Sequence, residues 1–147
     1  MFGGKLQRFS RTNSEESWCI VTYLTDGKLH KSNPIRLKNA TNLTTWKDEV
    51  TIEYPKTLMP KFTWSDFGIT DNAIYFQVIS DADDAFISGT YTYDNYFQFY
   101  DTNNVVLNIT TKTPQNLVLD SSYNFTLMAV SEDNWVNLVI QKSFVAQ

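Results

Sequence analysis

A chain of 147 residues, 42% apolar and 19% charged, is too apolar for disorder and too often interrupted for a membrane span, so it is expected to fold in water as one domain with a small attachment. Its net charge of −4, without clustered Lys and Arg, excludes nucleic acid as an expected partner. Cys19 is the single cysteine, so an intramolecular disulfide is impossible and a small buried thiol is the expected reading.

The aromatic share of 15%, with only five glycines and many Val, Ile and Thr, favours pleated sheet and predicts almost no helix. Residues 1–17 are polar and aperiodic and are expected to form a flexible terminal segment. Their basic residues are not followed by an apolar run, so no signal peptide is read there, and no transmembrane segment is expected anywhere.

From Trp18 to Leu24 the chain reads as a strand, Asp26-Gly27 as a two-residue hairpin turn, and Lys28 to Ser32 as the return. That register places Leu24 opposite Leu29 and Tyr23 opposite His30. His30 has no second histidine or carboxylate at ligand spacing, so it is expected to be a cross-strand neighbour of Tyr23 rather than a metal ligand or base. Pro34 ends the return or marks it as an edge, and Ile35-Arg36-Leu37 continue it. Lys38 to Thr45 is a polar connection. The expected division is therefore a terminal segment over 1–17, a hairpin and connection over 18–45 docking on the main domain, and a β-sandwich over 46–147.

In the main domain Val50, Ile52 and Tyr54 alternate with polar residues, and Pro55 and Pro60 bracket a bend. Phe62 to Trp64 is a short strand. After the turn residues between Ser65 and Asn72, Ala73 to Ile79 is apolar on both faces, as expected of a central strand under a cover or one carrying exposed aromatics. Asp81, Asp83 and Asp84 stand in a turn whose alternating carboxylates suit a calcium loop. The turn lacks the glycine and terminal glutamate of an EF-hand, so a solvated turn is expected and a metal site is the alternative.

Phe86 to Tyr93, the turn Asp94-Asn95 and Tyr96 to Tyr100 read as an aromatic hairpin. Tyr91, Tyr93, Tyr96 and Tyr100 are the candidate ligand-binding residues, since exposed rings can stack on sugars or a partner's apolar groove. Val105 to Ile109 is a further strand. Leu117 to Val130 carries a period-two apolar pattern that begins at Tyr123, and with Trp135 to Ile140 it forms a closing hairpin.

The run Leu117, Tyr123, Phe125, Leu127, Ala129 resembles the penultimate strand and tyrosine corner of a fibronectin type III domain, in which the tyrosine hydroxyl ties back to the upstream backbone. Pro60-x-Phe62-x-Trp64 resembles that family's second strand with its core tryptophan, and Ile74 to Val78 its third. Asp120-Ser121-Ser122 replaces the usual proline and glycine, and the interval from Tyr75 to Tyr123 is long for the family. The fold this implies is an all-β antiparallel sandwich, fibronectin type III-like or immunoglobulin-like, with an extra N-terminal hairpin.

The function the resemblance implies is a non-catalytic binding or spacer module of a secreted or cell-envelope protein. Its partner is expected to be carbohydrate or protein, with no cofactor and a monomeric state. The alternative is a hydrolase-type enzyme, which requires carboxylates from Asp66, Asp71, Asp81, Asp83 or Asp84 to converge in one pocket. Glycine-rich phosphate loops, nucleophile elbows and Cys-x-x-Cys pairs are absent from the sequence.

Overall fold

Period-two patterning and turn chemistry account for most of the strands. The computed structural model describes residues 12, 15, 17–37, 43–109, 112–132 and 134–147. The expected terminal segment over 1–17 and the core of the connection, 38–42, lie almost wholly outside them. The chain divides into two compact units, one ending at Leu43 and the other running from Thr44 to Gln147.

The first unit is a two-stranded ribbon. Strands β2 (Thr22–Thr25) and β3 (Lys28–Lys31) pair with Tyr23 opposite His30 and Leu24 opposite Leu29, the register the turn predicts. Asp26 and Gly27 both take positive φ, 50° and 74°, the geometry of a turn whose twist matches that of the flanking strands. The Tyr23 and His30 rings stack at 4.8 Å. The ribbon is interrupted at Val21, where Ser32 donates its N–H to Val21 O and accepts the Val21 N–H on Oγ. It resumes as β1 (Ser17–Cys19) against β4 (Ile35–Leu37). Cys19 is half-buried there rather than fully enclosed.

The second unit holds two sheets. Strands β6 (Thr51–Lys56), β7 (Met59–Thr63) and β10 (Tyr96–Gln98) form a three-stranded sheet in the order β10-β7-β6. Six strands form the other: β11 (Val105–Asn108), β9 (Phe86–Thr92), β8 (Ile74–Asp81), β12 (Ser122–Val130), β13 (Val136–Val145) and β5 (Thr45–Lys47), in that order. No helix occurs among the described residues. The fold is all-β, with the sheets open rather than closed into a barrel.

One apolar core joins the two sheets. Tyr123, Phe125, Leu127 and Ala129 all point inward from β12, as their spacing predicts, and Leu138 and Ile140 do so from β13. Phe62 of β7 stacks on Phe125 at 4.1 Å, and Trp64 meets Tyr75 edge-on at 5.4 Å. Burying each such side chain stabilises by about 1.5–3 kcal/mol, which makes this column the main source of stability. Val50, Ile52 and Tyr54 pack against it from the start of the three-stranded sheet.

At the end of that column Val118 donates its backbone N–H to the Tyr123 hydroxyl at 2.8 Å, tying the corner to the strand it feeds. Asp120 takes φ 60° inside the corner and donates its N–H to Ala146 O.

Two expectations are corrected. β9 and β10 are not a hairpin: β9 pairs with β8, and β10 pairs with β7 in the opposite sheet. Asp94-Asn95 is a crossover, held where Asn95 O accepts the Trp64 N–H and Asn95 Nδ2 donates to Asp66 Oδ2. Crossing puts Phe97 and Phe99 into the core, where they are 2% and 1% exposed. The fold is also not wholly antiparallel, because β5 lies parallel to β13, with Thr44 donating its hydroxyl to Val136 O at 2.8 Å.

A candidate ligand-binding cleft

The inward face of β9 departs from the core's apolar rule. Ser88, Thr90 and Thr92 alternate with Gly89 and Tyr91, and all three hydroxyl residues are buried. Gln77, 1% exposed, projects from β8 on the same face. Its amide donates to Thr92 Oγ1 at 2.8 Å and its carbonyl accepts from Thr90 Oγ1 at 3.2 Å, while Thr92 donates to Asp94 O. A buried amide left unpaired costs about 1–3 kcal/mol, so this network fixes the hydroxyls it engages.

The chain between β10 and β12 is long, and its excursion leaves the core beside this polar strip. Phe99 and Tyr100 follow β10, β11 adds to the edge of β9, and Lys112 to Pro114 return over the gap. A cleft of about 350 Å³ opens there, the size range of small-molecule sites. Ser88 and Thr90 line its inner side, Phe97, Phe99 and Tyr100 its aromatic side, and Asp101, Asn108 and Lys112 its rim.

Thr90, which lines the cleft, spends its proton on Gln77 and so keeps only acceptor capacity on its hydroxyl. The Ser88 hydroxyl has no side-chain partner among the described residues and offers both a donor and an acceptor. Tyr100 takes φ 67° and sets its ring edge-on to Phe99 at 4.5 Å. Its hydroxyl donates to Pro114 O at 2.5 Å and lies 2.8 Å from Asn116 Oδ1. Burial raises the Tyr100 pKa, so the phenol stays neutral. Asp101 accepts the Asn103 N–H at 3.0 Å. The cleft thus combines a neutral hydroxyl floor with one rim charge of each sign.

Of the four tyrosines picked out in the sequence, Tyr100 alone lines the cleft. Tyr91 stacks on Phe76 at 4.6 Å on the opposite face of the six-stranded sheet. Tyr93 is 64% exposed after β9. Tyr96 sits on the three-stranded sheet with the Lys61 ammonium 5.1 Å from its ring. The four rings are therefore spread over different surfaces rather than forming one platform.

The aspartates are likewise apart. Asp81 Oδ1 accepts the N–H groups of Asp83 and Ala85, and Asp84 Oδ1 accepts from Asn124 Nδ2, so these two carboxylates are engaged by the turn's own backbone and by β12. Among the described residues no three His, Cys, Asp or Glu gather as a metal-binding set.

Asp66 accepts from Asn72, Tyr75 and Asn95 at 2.7–2.9 Å, pinning the loop before β8. Burial, then the bond to Asp66, pushes the Tyr75 pKa up to about 12. Asp66 is tied to the start of β8 and Asp81 ends it, a separation of roughly 20 Å at about 3.3 Å per residue. The carboxylates at the two ends of that strand share no pocket.

Sequence reasoning missed Ser88, Thr90 and Gln77. Their signal was present as three hydroxyl residues at period two, a pattern that reads as a solvated strand face when the partner sheet is unknown.

The geometry defines a class: an all-β domain of facing sheets with a polar-floored side cleft made by an excursion between strands. No family model, curated protein or solved structure matches the chain.

Proposed function

We propose that residues 44–147 are a non-catalytic, fibronectin type III-like binding module that takes a neutral polyhydroxylated ligand, of about one or two sugar rings, in the cleft beside β9. The observation that carries this reading is the buried hydroxyl floor under an aromatic wall, since vicinal hydroxyls need paired donors and acceptors while C–H faces favour rings. Opposed charges of Asp101 and Lys112 at the rim favour a ligand without net charge.

Strand order supports the architectural part. Read as A-B-E, the sheet β6-β7-β10 faces β13-β12-β8-β9 read as G-F-C-C′, and the Tyr123 bond to Val118 N–H stands where that family's corner lies. The long interval from Tyr75 to Tyr123 is then the excursion carrying β11. The separation of the aspartates along β8 supports the non-catalytic part. An extracellular or cell-envelope setting belongs to the same reading and is checked by cleavage of the protein on intact cells by added protease.

A glycan array, followed by calorimetric titration of neutral mono- and disaccharides, tests the site. Ser88→Ala is expected to weaken binding by up to about tenfold, the worth of one hydrogen bond, and Tyr93→Ala with Tyr96→Ala to leave it unchanged. The opposite pattern would move the site to the exposed rings. Absence of any glycan binding would leave a protein ligand as the reading.

A further inference from the structure

The protons under the floor of the cleft are not free to turn. Thr92 Oγ1 lies 2.9 Å from Asp94 O, and a backbone carbonyl only accepts, so the Thr92 proton points there. The Thr92 oxygen is left to accept, which turns the Gln77 amide nitrogen toward it at 2.8 Å. The Gln77 carbonyl therefore faces Thr90, 3.2 Å away, and claims the Thr90 proton. One carbonyl that cannot donate thus sets the direction of three successive bonds. Gln77 is buried, so water does not compete for its amide and the order holds.

The aromatic side is fixed in the same sense. The Tyr100 phenol has one proton, and Pro114 O takes it. Whichever way the Asn116 amide is turned, no phenol proton remains for a ligand. The Asp101 carboxylate only accepts. Three polar groups that line the cleft, on Thr90, Tyr100 and Asp101, therefore bring no proton to it. Of the two floor hydroxyls, that of Ser88 alone has a proton not claimed by another side chain among the described residues, and Asn108 and Lys112 hold theirs at the rim.

A wall of acceptors selects for what the ligand brings. A ligand atom without hydrogen, such as an ether oxygen, would set two acceptors against each other, and burial makes that mismatch costly. A free hydroxyl supplies the missing proton. We propose that the cleft recognises its ligand by the ligand's own protons: the end that enters carries a free hydroxyl that donates to Thr90 Oγ1, and Gln77 is the positioning residue that keeps Thr90 an acceptor. The inference rests on the reading of the cleft as a saccharide site, and it narrows that reading to saccharides unsubstituted at the hydroxyl that meets Thr90.

Calorimetric titration of the full chain with glucose, galactose, mannose, cellobiose and lactose tests it, followed for each sugar that binds by its monodeoxy and monodeoxyfluoro analogues. Fluorine is close to a hydroxyl in size and donates nothing. At one ring position the fluoro analogue is expected to bind about tenfold or more weakly than the parent, no better than the deoxy analogue, because the proton is what is recognised. Fluoro analogues within about twofold of the parent at every position, a difference below the worth of one hydrogen bond, overturn the proposal.

Gln77→Met releases the Thr90 proton at similar side-chain length. It is expected to narrow the fluorine penalty to about threefold or less, whereas a packing change alone would weaken parent and analogue alike. An undiminished penalty overturns the role of Gln77. If that variant loses its sheet signal by circular dichroism, Thr90→Val decides, since removing the acceptor is expected to erase the difference between parent and fluoro analogue. Failure of every sugar to bind removes the saccharide reading and this inference together, while binding indifferent to fluorine overturns the inference and leaves the site.

Discussion

The ribbon and the all-β body obey the same local rules and reach opposite ends. In the ribbon a two-residue turn sets every pair from Thr22–Lys31 to Thr25–Lys28, yet its apolar side chains stay largely in solvent. In the body, partners such as Phe62 and Phe125 lie far apart in the chain, and their rings are fully buried. Local chemistry is enough to choose a register, but stability comes from the second layer that closes over it.

The sharpest way to break this contrast is a truncation on each side of it. Phe125→Ala is expected to cost about 3–5 kcal/mol in urea denaturation, through lost burial and the cavity left against Phe62. Leu24→Ala is expected to change body stability by less than about 0.5 kcal/mol. Equal effects would show that the two units fold as one.

The next largest effect is alkaline. Tyr75 has a pKa raised from 10.0 to about 12, so folding favours its protonated form. Its contribution is complete below pH 10 and is lost as pH rises through 12, by about 2–3 kcal/mol in all. Tyr75→Phe is expected to flatten that part of a stability–pH curve while lowering stability at neutral pH by about 1.5–3 kcal/mol, the range for a bond to a charged acceptor. An unaltered curve would assign the alkaline loss to Tyr54 and Tyr100, whose pKa values burial also raises.

Tyr123→Phe is expected to cost about 1 kcal/mol, the net worth of the bond from Val118 N–H, measured by thermal or urea unfolding. A loss near zero would mean that the ring alone makes the corner. The smallest effect on the body belongs to Gly27→Ala, which puts a side chain at φ 74°. It is expected to abolish the ring-current shift of His30 from Tyr23 in a proton NMR spectrum while leaving the melting temperature of the body within error. A shift that survives would show that the ribbon's register rests on contacts other than its turn.

The amount legible in advance varied with the range of the interaction that decided it. Tyr123 to Ala129 could be read from alternation alone, because one buried face and one partner strand on each side suffice to impose period two. Asp94-Asn95 could not, since the same residues serve a hairpin and a corner between sheets. Their use was decided by Asp66 and Trp64, some thirty residues upstream. Tyr100 was singled out for its ring, but its place in the cleft follows from a positive φ and a bond to Pro114 O that no spacing rule foretells. Ser88 and Thr90 look like a solvated face until β10 crosses away and leaves them under an aromatic wall.

By itself the sequence determined the all-β class, the register of the hairpin at Asp26-Gly27, the existence of an antiparallel closing hairpin after Val130, and the Tyr123 column, because each depends on neighbours in the chain or on composition. Only the tertiary structure decided which strands share a sheet, that β5 runs parallel to β13, and where the cleft opens. Those outcomes depend on which surfaces meet across the fold, and hydrophobic burial fixes that by area and shape rather than by order along the chain.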